Sequence, residues 1–276
     1  MNDVLSSGRK RAFRMRCLNH RWFNTTMVRR RKFDGHILSM QQSGTHWLRY
    51  MLSLCMAEVY EKPAPETIQD MDFIGRPKQP PKYPGLPRIV SSHSLPHGLM
   101  FVRPVRDRLE FPRYLILVRD PRHALVSHYE KWKARYGVDF STFLRGDMRD
   151  KLYFNDLWRQ VEFLNGWGRV VRDPFFTTMT LKYEDMKRDP EAALKAACEY
   201  FGIPADKEIV AAAVQRSTKS EMAERSRPSN REQVIRNDRR DPMEWFTEQD
   251  RSWWNSVCRE LLDWDGGYGV HMEVAG

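Results

Sequence analysis

Short apolar runs and stretches of helical period take turns along this chain. Aliphatic or β-branched runs fall at 36–40, 88–92, 114–118 and 176–183, the third reading Tyr-Leu-Ile-Leu-Val. Runs of that length and composition predict buried strands. Apolar residues return every three or four positions over 45–60, 122–135, 154–172, 190–201, 205–215 and 247–262, which predicts helices. The clearest stripe is Trp47, Leu48, Met51, Leu52, Cys55 and Val59. Strands alternating with helices predict an α/β three-layer sandwich with a central, mostly parallel sheet. Seven prolines between 63 and 87 exclude regular helix and central strand there, so that segment is expected as a long surface loop.

In such sheets ligands collect beyond the carboxyl ends of the strands. Three of the four predicted strands finish in polar chemistry. The first runs into Gln42-Ser43-Gly44-Thr45-His46 and then straight into a helix. A turn of small residues at that place leaves amides unpaired at the helix start, where they and the helix dipole favour a phosphate or sulfate. The same turn also serves as a plain connection between strand and helix. The second strand runs into Ser92-His93-Ser94-Leu95-Pro96. The third runs into Arg119-Asp120-Pro121-Arg122, with Ser127 on the following helix. A guanidinium and a hydroxyl at that spacing suit a phosphate monoester.

The 276 residues are 41% hydrophobic and 12% aromatic, enough for a sizeable core, which excludes a disordered chain. No uninterrupted apolar run approaches the ~20 residues of a membrane span, and no hydrophobic signal core follows the N-terminus. A cytoplasmic protein is therefore expected. Cys17, Cys55, Cys198 and Cys258 are scattered, which speaks for reduced thiols rather than a zinc site or disulfide frame. Net charge is +10, and ten Lys or Arg against the single acid Asp3 lie within residues 1–33. This basic arm on a near-neutral body is read either as a solubilising tail or as contact with an anionic surface. Phe13, Trp22 and Phe23 among the basic residues of 9–32 favour a membrane surface over nucleic acid.

Here the segment LVRDPRHALVSHY (117–129) closely resembles the 3′-phosphate-binding segment of the sulfotransferases. QSGTHWL (42–48) resembles their 5′-phosphosulfate loop, usually Pro-Lys-Ser-Gly-Thr-Thr-Trp-Leu. LKYEDMKRDPEAALKAACEYFGI resembles the family's Tyr-Glu-Asp segment and the helix after it. EFLNGWGRV and WFTEQDRSWW resemble its Trp-centred helix and its late Phe-Thr segment. Five blocks in the family's order span about 36–255, with the basic arm at 1–33 and a sulfotransferase domain at 34–276.

The resemblance implies a P-loop-like phosphosulfate-binding turn and metal-free transfer of sulfuryl from 3′-phosphoadenosine 5′-phosphosulfate (PAPS) to a hydroxyl or amine. It implies that Ser43, Gly44, Thr45 and His46 hold the 5′-phosphosulfate and that Trp47 stacks on adenine. Arg119 and Ser127 would bind the 3′-phosphate, Tyr183 would touch adenine, and Ser217 would help hold the nucleotide. The family's late Arg-Lys-Gly loop falls near Arg236, with Arg239 or Arg240 beside it. His93 matches the general base, although the inserted Ser94 leaves His97 as a rival. Glu184 and Asp185 are expected as a structural ion pair or helix cap. Trp253 and Trp254 are expected as packing.

Gln42 stands where the family has the Lys that faces the leaving oxygen, and His46 replaces its second Thr. Losing a preorganised donor of that sort costs on the order of 10²–10³ in rate. A protonated His46, Arg122 or an arm residue is expected to restore the charge. The alternative is a nucleotide-binding but catalytically weak homologue that acts as an anionic-surface binding protein. A P-loop kinase is excluded, because GxxxxGK[ST] spacing and its Lys are absent. The acceptor is a small molecule, lipid or glycan, and Phe73, Tyr83 and the region of Phe101 are expected to wall its pocket.

Overall fold

The computed structural model describes residues 5–23, 33–226 and 241–269. Five strands form one sheet: β1 (Gly35–Ser39), β2 (Ile74–Gly75), β3 (Ile89–Ser92), β4 (Arg113–Val118) and β5 (Thr178–Lys182). Their order is β2-β3-β1-β4-β5, and every pairing is parallel. The registers Leu38↔Ser92 and Ser39↔Leu117 bring the carboxyl ends of the three central strands level. The residues following those ends therefore share one rim.

Alternation along the strands divides the core in two. Ile37, Leu115, Leu117 and Leu181 face one side. There they meet Leu48, Met51 and Leu52 of α2 (Thr45–Val59) and Leu194 and Phe201 of α8 (Pro190–Phe201). Leu38, Ile116 and Val118 face the other side. That side is covered by α4 (Pro121–Tyr136), α6 (Leu157–Val171) and α11 (Glu248–Leu261), with Leu125, Trp158, Leu164 and Trp254 fully buried. This is the α/β layering that the hydrophobic pattern predicts, with a sheet parallel throughout the described residues.

The helix ends are written in the sequence. Asp120, Asp156 and Asp189 each cap a helix start by accepting a first-turn amide, two of them just ahead of a proline at N1. Thr247 and Asp250 make a reciprocal capping box for α11. Trp253 and Trp254 are packing residues, as expected.

Three features depart from the sequence reading. The proline-rich segment is not wholly loop, because Ile74 and Gly75 pair with β3 as a short edge strand. The strand expected at 176–183 is shorter, since Tyr183 already opens α7 (Tyr183–Arg188). The largest departure is at the N-terminus. Residues expected as an arm form α1 (Ser7–Phe23), with Leu5 and Phe13 in the core. Arg16, 6% exposed, donates to the Asp147 carbonyl and to Asp150, both at 2.9 Å, and lies 3.7 Å from both Asp156 and Glu162. His20 joins Glu162 at 2.8 Å and Asp150 at 3.4 Å. Removing one member of such a buried charge cluster costs about 3–5 kcal/mol, so α1 is part of the body. Residues 24–32 of the arm lie outside the described residues.

Candidate active site

The turn between β1 and α2 occupies the middle of the rim. Its tightness requires two residues in the left-handed region, Gln42 (φ 62) and Gly44 (φ 87). A Cβ on Gly44 would sit 2.7 Å from the Tyr183 ring, so only glycine fits. Gly44 is the N-cap of α2 and offers no side-chain hydrogen bond. The first-turn amides of α2 thus lack a side-chain acceptor at the point where the helix dipole is positive. Ser43 is buried, its hydroxyl donating to the Met40 carbonyl, which pins the turn from below.

Arg119, at the end of β4, folds over this turn. Its Nη1 donates to the Gln42 carbonyl at 2.9 Å and to Ser127 Oγ at 3.1 Å. Its guanidinium carbon lies 4.6 Å from the centre of the Tyr183 ring. Trp47 meets the same ring edge-on at 6.3 Å and donates its indole N–H to Ser217 Oγ at 3.2 Å. The tertiary structure therefore brings Gln42, Ser43, Gly44, Trp47, Arg119, Ser127, Tyr183 and Ser217 together from four separate stretches of chain. Arg236 lies outside the described residues. Glu184 accepts from the Asp120 amide at 3.3 Å and from the Tyr268 hydroxyl, and Asp185 pairs with Arg188 at 2.7 Å. Both acids are structural, as expected.

The two rival histidines are in different situations. His97 is 3% exposed, and both ring nitrogens are engaged, one near the Trp22 carbonyl at 3.0 Å and the other accepting from the Leu99 amide at 3.1 Å. His93 bonds through Nδ1 to the Ser39 carbonyl at 2.7 Å. That contact makes Nδ1 the protonated nitrogen and leaves Nε2 with its lone pair. Ser39, fully buried, also links the imidazole to the loop: its hydroxyl is 3.1 Å from His93 Nδ1 and accepts from Thr45 Oγ1 at 2.8 Å. The His93 side chain reaches solvent, and the protein packed around it removes part of its hydration. That loss of hydration holds its pKa below the ordinary histidine value, against the opposing pull of the Ser39 carbonyl.

His93 opens on a depression of about 580 Å³, walled by His20, Phe23, Ser94, Leu95, Asp150 and Arg159. These are not the walls expected. Phe73 and Tyr83 stack on each other at 5.0 Å beside a separate cavity of only about 20 Å³ under the proline-rich segment. Phe101 is engaged with Arg169, 3.9 Å away, and with Phe176. The actual walls come from α1 and the segment around Asp150. The available signal was the helical spacing of Phe13, Arg16 and His20 inside what composition marked as a tail.

Two expected substitutes for the missing loop cation are also corrected. His46 is exposed to solvent, yet the protein packed around it strips part of its hydration, and Arg49, His93, Lys131 and Arg76 add positive potential. Together they hold its pKa down to about 4, so it is neutral at neutral pH. Arg122 commits its guanidinium to Asp120, at 3.1 Å through Nε and 2.7 Å through Nη2. The Gln42 side-chain amide has no hydrogen-bond partner among the described residues.

An uncapped helix start that favours anions, with an Arg–Ser pair and the rings of Trp47 and Tyr183 beside it on one rim of a parallel sheet, has the features of an anion-binding α/β fold. The Sulfotransferase domain family matches residues 34–257, and the chain belongs to that family. Sulfotransferase 2A6 of Mus musculus is 28% identical over 185 residues, 61% of this chain and 59% of that protein. Sulfotransferase 6B1 of Danio rerio is 27% identical over 156 residues, 52% of this chain and 47% of that protein. The chain thus spans about half to three-fifths of the length of these relatives. Among solved structures, mouse sulfotransferase SULT7A1 complexed with PAP shares the fold at TM-score 0.61 and 18% identity, covering 94% of this chain and 96% of that one. Retinol dehydratase in complex with androsterone and inactive cofactor PAP follows at TM-score 0.56 and 17% identity, covering 92% and 87%.

Proposed function

We propose that this protein transfers a sulfuryl group from PAPS to a hydroxyl, or an amine, of an acceptor bound in the His93 depression. The carrying observation is the junction of Arg119, Ser127 and Tyr183 over the Gln42–Gly44 turn, with His93 tied to the same turn through Ser39 and Thr45. Arg119 and Ser127 grip the 3′-phosphate, and Trp47, Tyr183 and Ser217 bound the adenine. The amides of Ser43 to Trp47, with Thr45 and His46, receive the 5′-phosphosulfate. Arg236 is the further nucleotide contact that the family pattern implies.

His93 Nε2 takes the acceptor proton as the new oxygen–sulfur bond forms. The bridging sulfur–oxygen bond breaks in line, and its electron pair stays on the 5′-phosphate of the product, 3′-phosphoadenosine 5′-phosphate (PAP). The amides of the α2 start, with Gln42 and Thr45, meet the charge at the leaving oxygen in this scheme and Arg119 meets the 3′-phosphate, with no metal. The acceptor is a small molecule, lipid or glycan, and the basic residues of 9–32, apart from the buried Arg16, meet an anionic surface.

The neutral pair Gln42 and His46 supports a second reading, a domain that binds the nucleotide but turns over slowly. One experiment addresses both. Under the proposal, PAP at about 100 times its Kd stabilises the protein by about 2.7 kcal/mol and raises Tm, whereas ATP with Mg²⁺ does not. Labelled PAPS incubated with acceptor pools then yields a labelled product. His93→Ala lowers that transfer by ~10²–10⁴ with PAP affinity kept within a few-fold, while His97→Ala does not. PAP binding without transfer to any acceptor supports the second reading, and absence of PAP binding overturns both.

A further inference from the structure

The outward side of α1 is built unlike the rest of the surface. Of the seven large apolar side chains exposed among the described residues, Met15, Leu18, Trp22 and Phe23 belong to α1. Two more, Leu152 and Phe154, lie in the segment to which Arg16 and His20 tie that helix. Met15, Leu18 and Trp22 are three and four residues apart and share one helical face, opposite the docked Phe13, Arg16 and His20. Trp22 keeps part of its ring against Gly98 and His97, so the stripe is anchored at that end. Arg11 extends the stripe by one turn and Arg14 flanks it, both exposed. The seventeen residues of α1 contain no acid.

An apolar stripe edged by arginines, with no acid to oppose them, complements a surface that is anionic outside and apolar beneath. That describes the headgroup layer of an acidic bilayer. A nucleic acid uses the arginines but has no use for exposed Met15 and Leu18. No described helix is long and apolar enough to cross a membrane, so contact along this face is in the plane of the interface. The same helix ends in His20 and Phe23, which wall the depression that His93 faces, and Phe23 is 82% exposed.

We infer that α1, with Leu152 and Phe154, docks this protein on an anionic membrane surface and sets the mouth of the His93 depression against the headgroups. The docking stands on α1 alone. The consequence that the acceptor is a hydroxyl-bearing amphiphile drawn from the lipid layer rests on the sulfotransferase reading above.

Flotation with phosphatidylcholine vesicles, with and without phosphatidylserine, tests the docking, and PAP-induced stabilisation of each variant reports a folded nucleotide site. The expected result is binding that requires phosphatidylserine and weakens with salt. Each arginine replaced in R11E/R14E should weaken it by at least roughly fivefold. Met15→Ser with Leu18→Ser should abolish it while PAP still stabilises the protein. On vesicles, hydrogen exchange should slow over 8–23 and 150–156. No binding to acidic vesicles, or binding indifferent to the Met15 and Leu18 changes, overturns the docking. Protection confined to another face overturns the orientation. Vesicle binding by a protein that PAP does not stabilise leaves the docking standing and overturns only the acceptor consequence.

Discussion

Arg119→Ala separates nucleotide grip from chemistry more cleanly than any other single change. In the free protein Arg119 Nη1 holds the Gln42 carbonyl at 2.9 Å and Ser127 Oγ at 3.1 Å, beneath the Tyr183 ring. Losing these contacts should lower folding stability by about 1–3 kcal/mol. On the ligand side, a guanidinium contributes about 1.5–3 kcal/mol per charged hydrogen bond to a phosphate, and two such bonds predict a loss of ~10²–10⁴ in PAP affinity. The 3′-phosphate is remote from the sulfur that reacts, so this is binding shared by ground and transition states. KM for PAPS should therefore rise with kcat nearly unchanged. Calorimetric titration with PAP and initial rates over a range of PAPS give the two numbers. Arg119→Lys keeps the charge but not the planar fork, and should fall between wild type and Ala. A folded Arg119→Ala protein with PAP affinity within a few-fold of wild type would refute the assignment. So would a fall in kcat at constant KM.

Three further outcomes are expected. Gln42→Lys places a charge beside the leaving oxygen and should raise kcat, up to ~10²-fold where no other cation acts there, as measured by single-turnover transfer; a sharp loss of both binding and rate would show that the loop does not hold the phosphosulfate in the family manner. Gly44→Ala drives a methyl into Tyr183 at a φ of 87, and should cost about 1–3 kcal/mol in urea unfolding and weaken PAP binding at least roughly tenfold; a neutral variant would mean that the turn is not rigid. His36 and His128 are buried, and desolvation pushes each down to about 3 from 6.5. Below the unfolded value the unfolded chain binds protons that the native state refuses, so stability falls as pH drops from 6.5 toward 3. At pH 5 the loss is about 2 kcal/mol per histidine. Urea midpoints at pH 7.5 and pH 5 measure it, and an unchanged midpoint would contradict the burial of these rings.

What the sequence determined by itself was whatever depends on neighbours along the chain. The strand runs at 36–40, 88–92 and 114–118 and the helical stripe of Trp47 to Val59 are local signals, and they lie where the spacing put them. The turn from Gln42 to His46 was legible for the same reason, since its small residues and uncapped helix start are properties of five consecutive residues.

Whatever depends on distance through space was settled by the fold. His93 matches the motif at the strand end, and the inserted Ser94 leaves His97 as its rival in the sequence. Their difference lies in partners 54 and 75 residues away, the Ser39 carbonyl and the Trp22 carbonyl. A charge count marks residues 1–33 as a tail because it adds arginines without asking what they face. Arg16 faces carboxylates 134 to 146 residues further on, and that pairing turns the tail into a docked helix and a wall of the His93 depression. The state of His46 follows the same logic. A histidine in a loop reads as a ready cation, but lost hydration and the surrounding positive potential are sums over the folded molecule, and no local pattern encodes them.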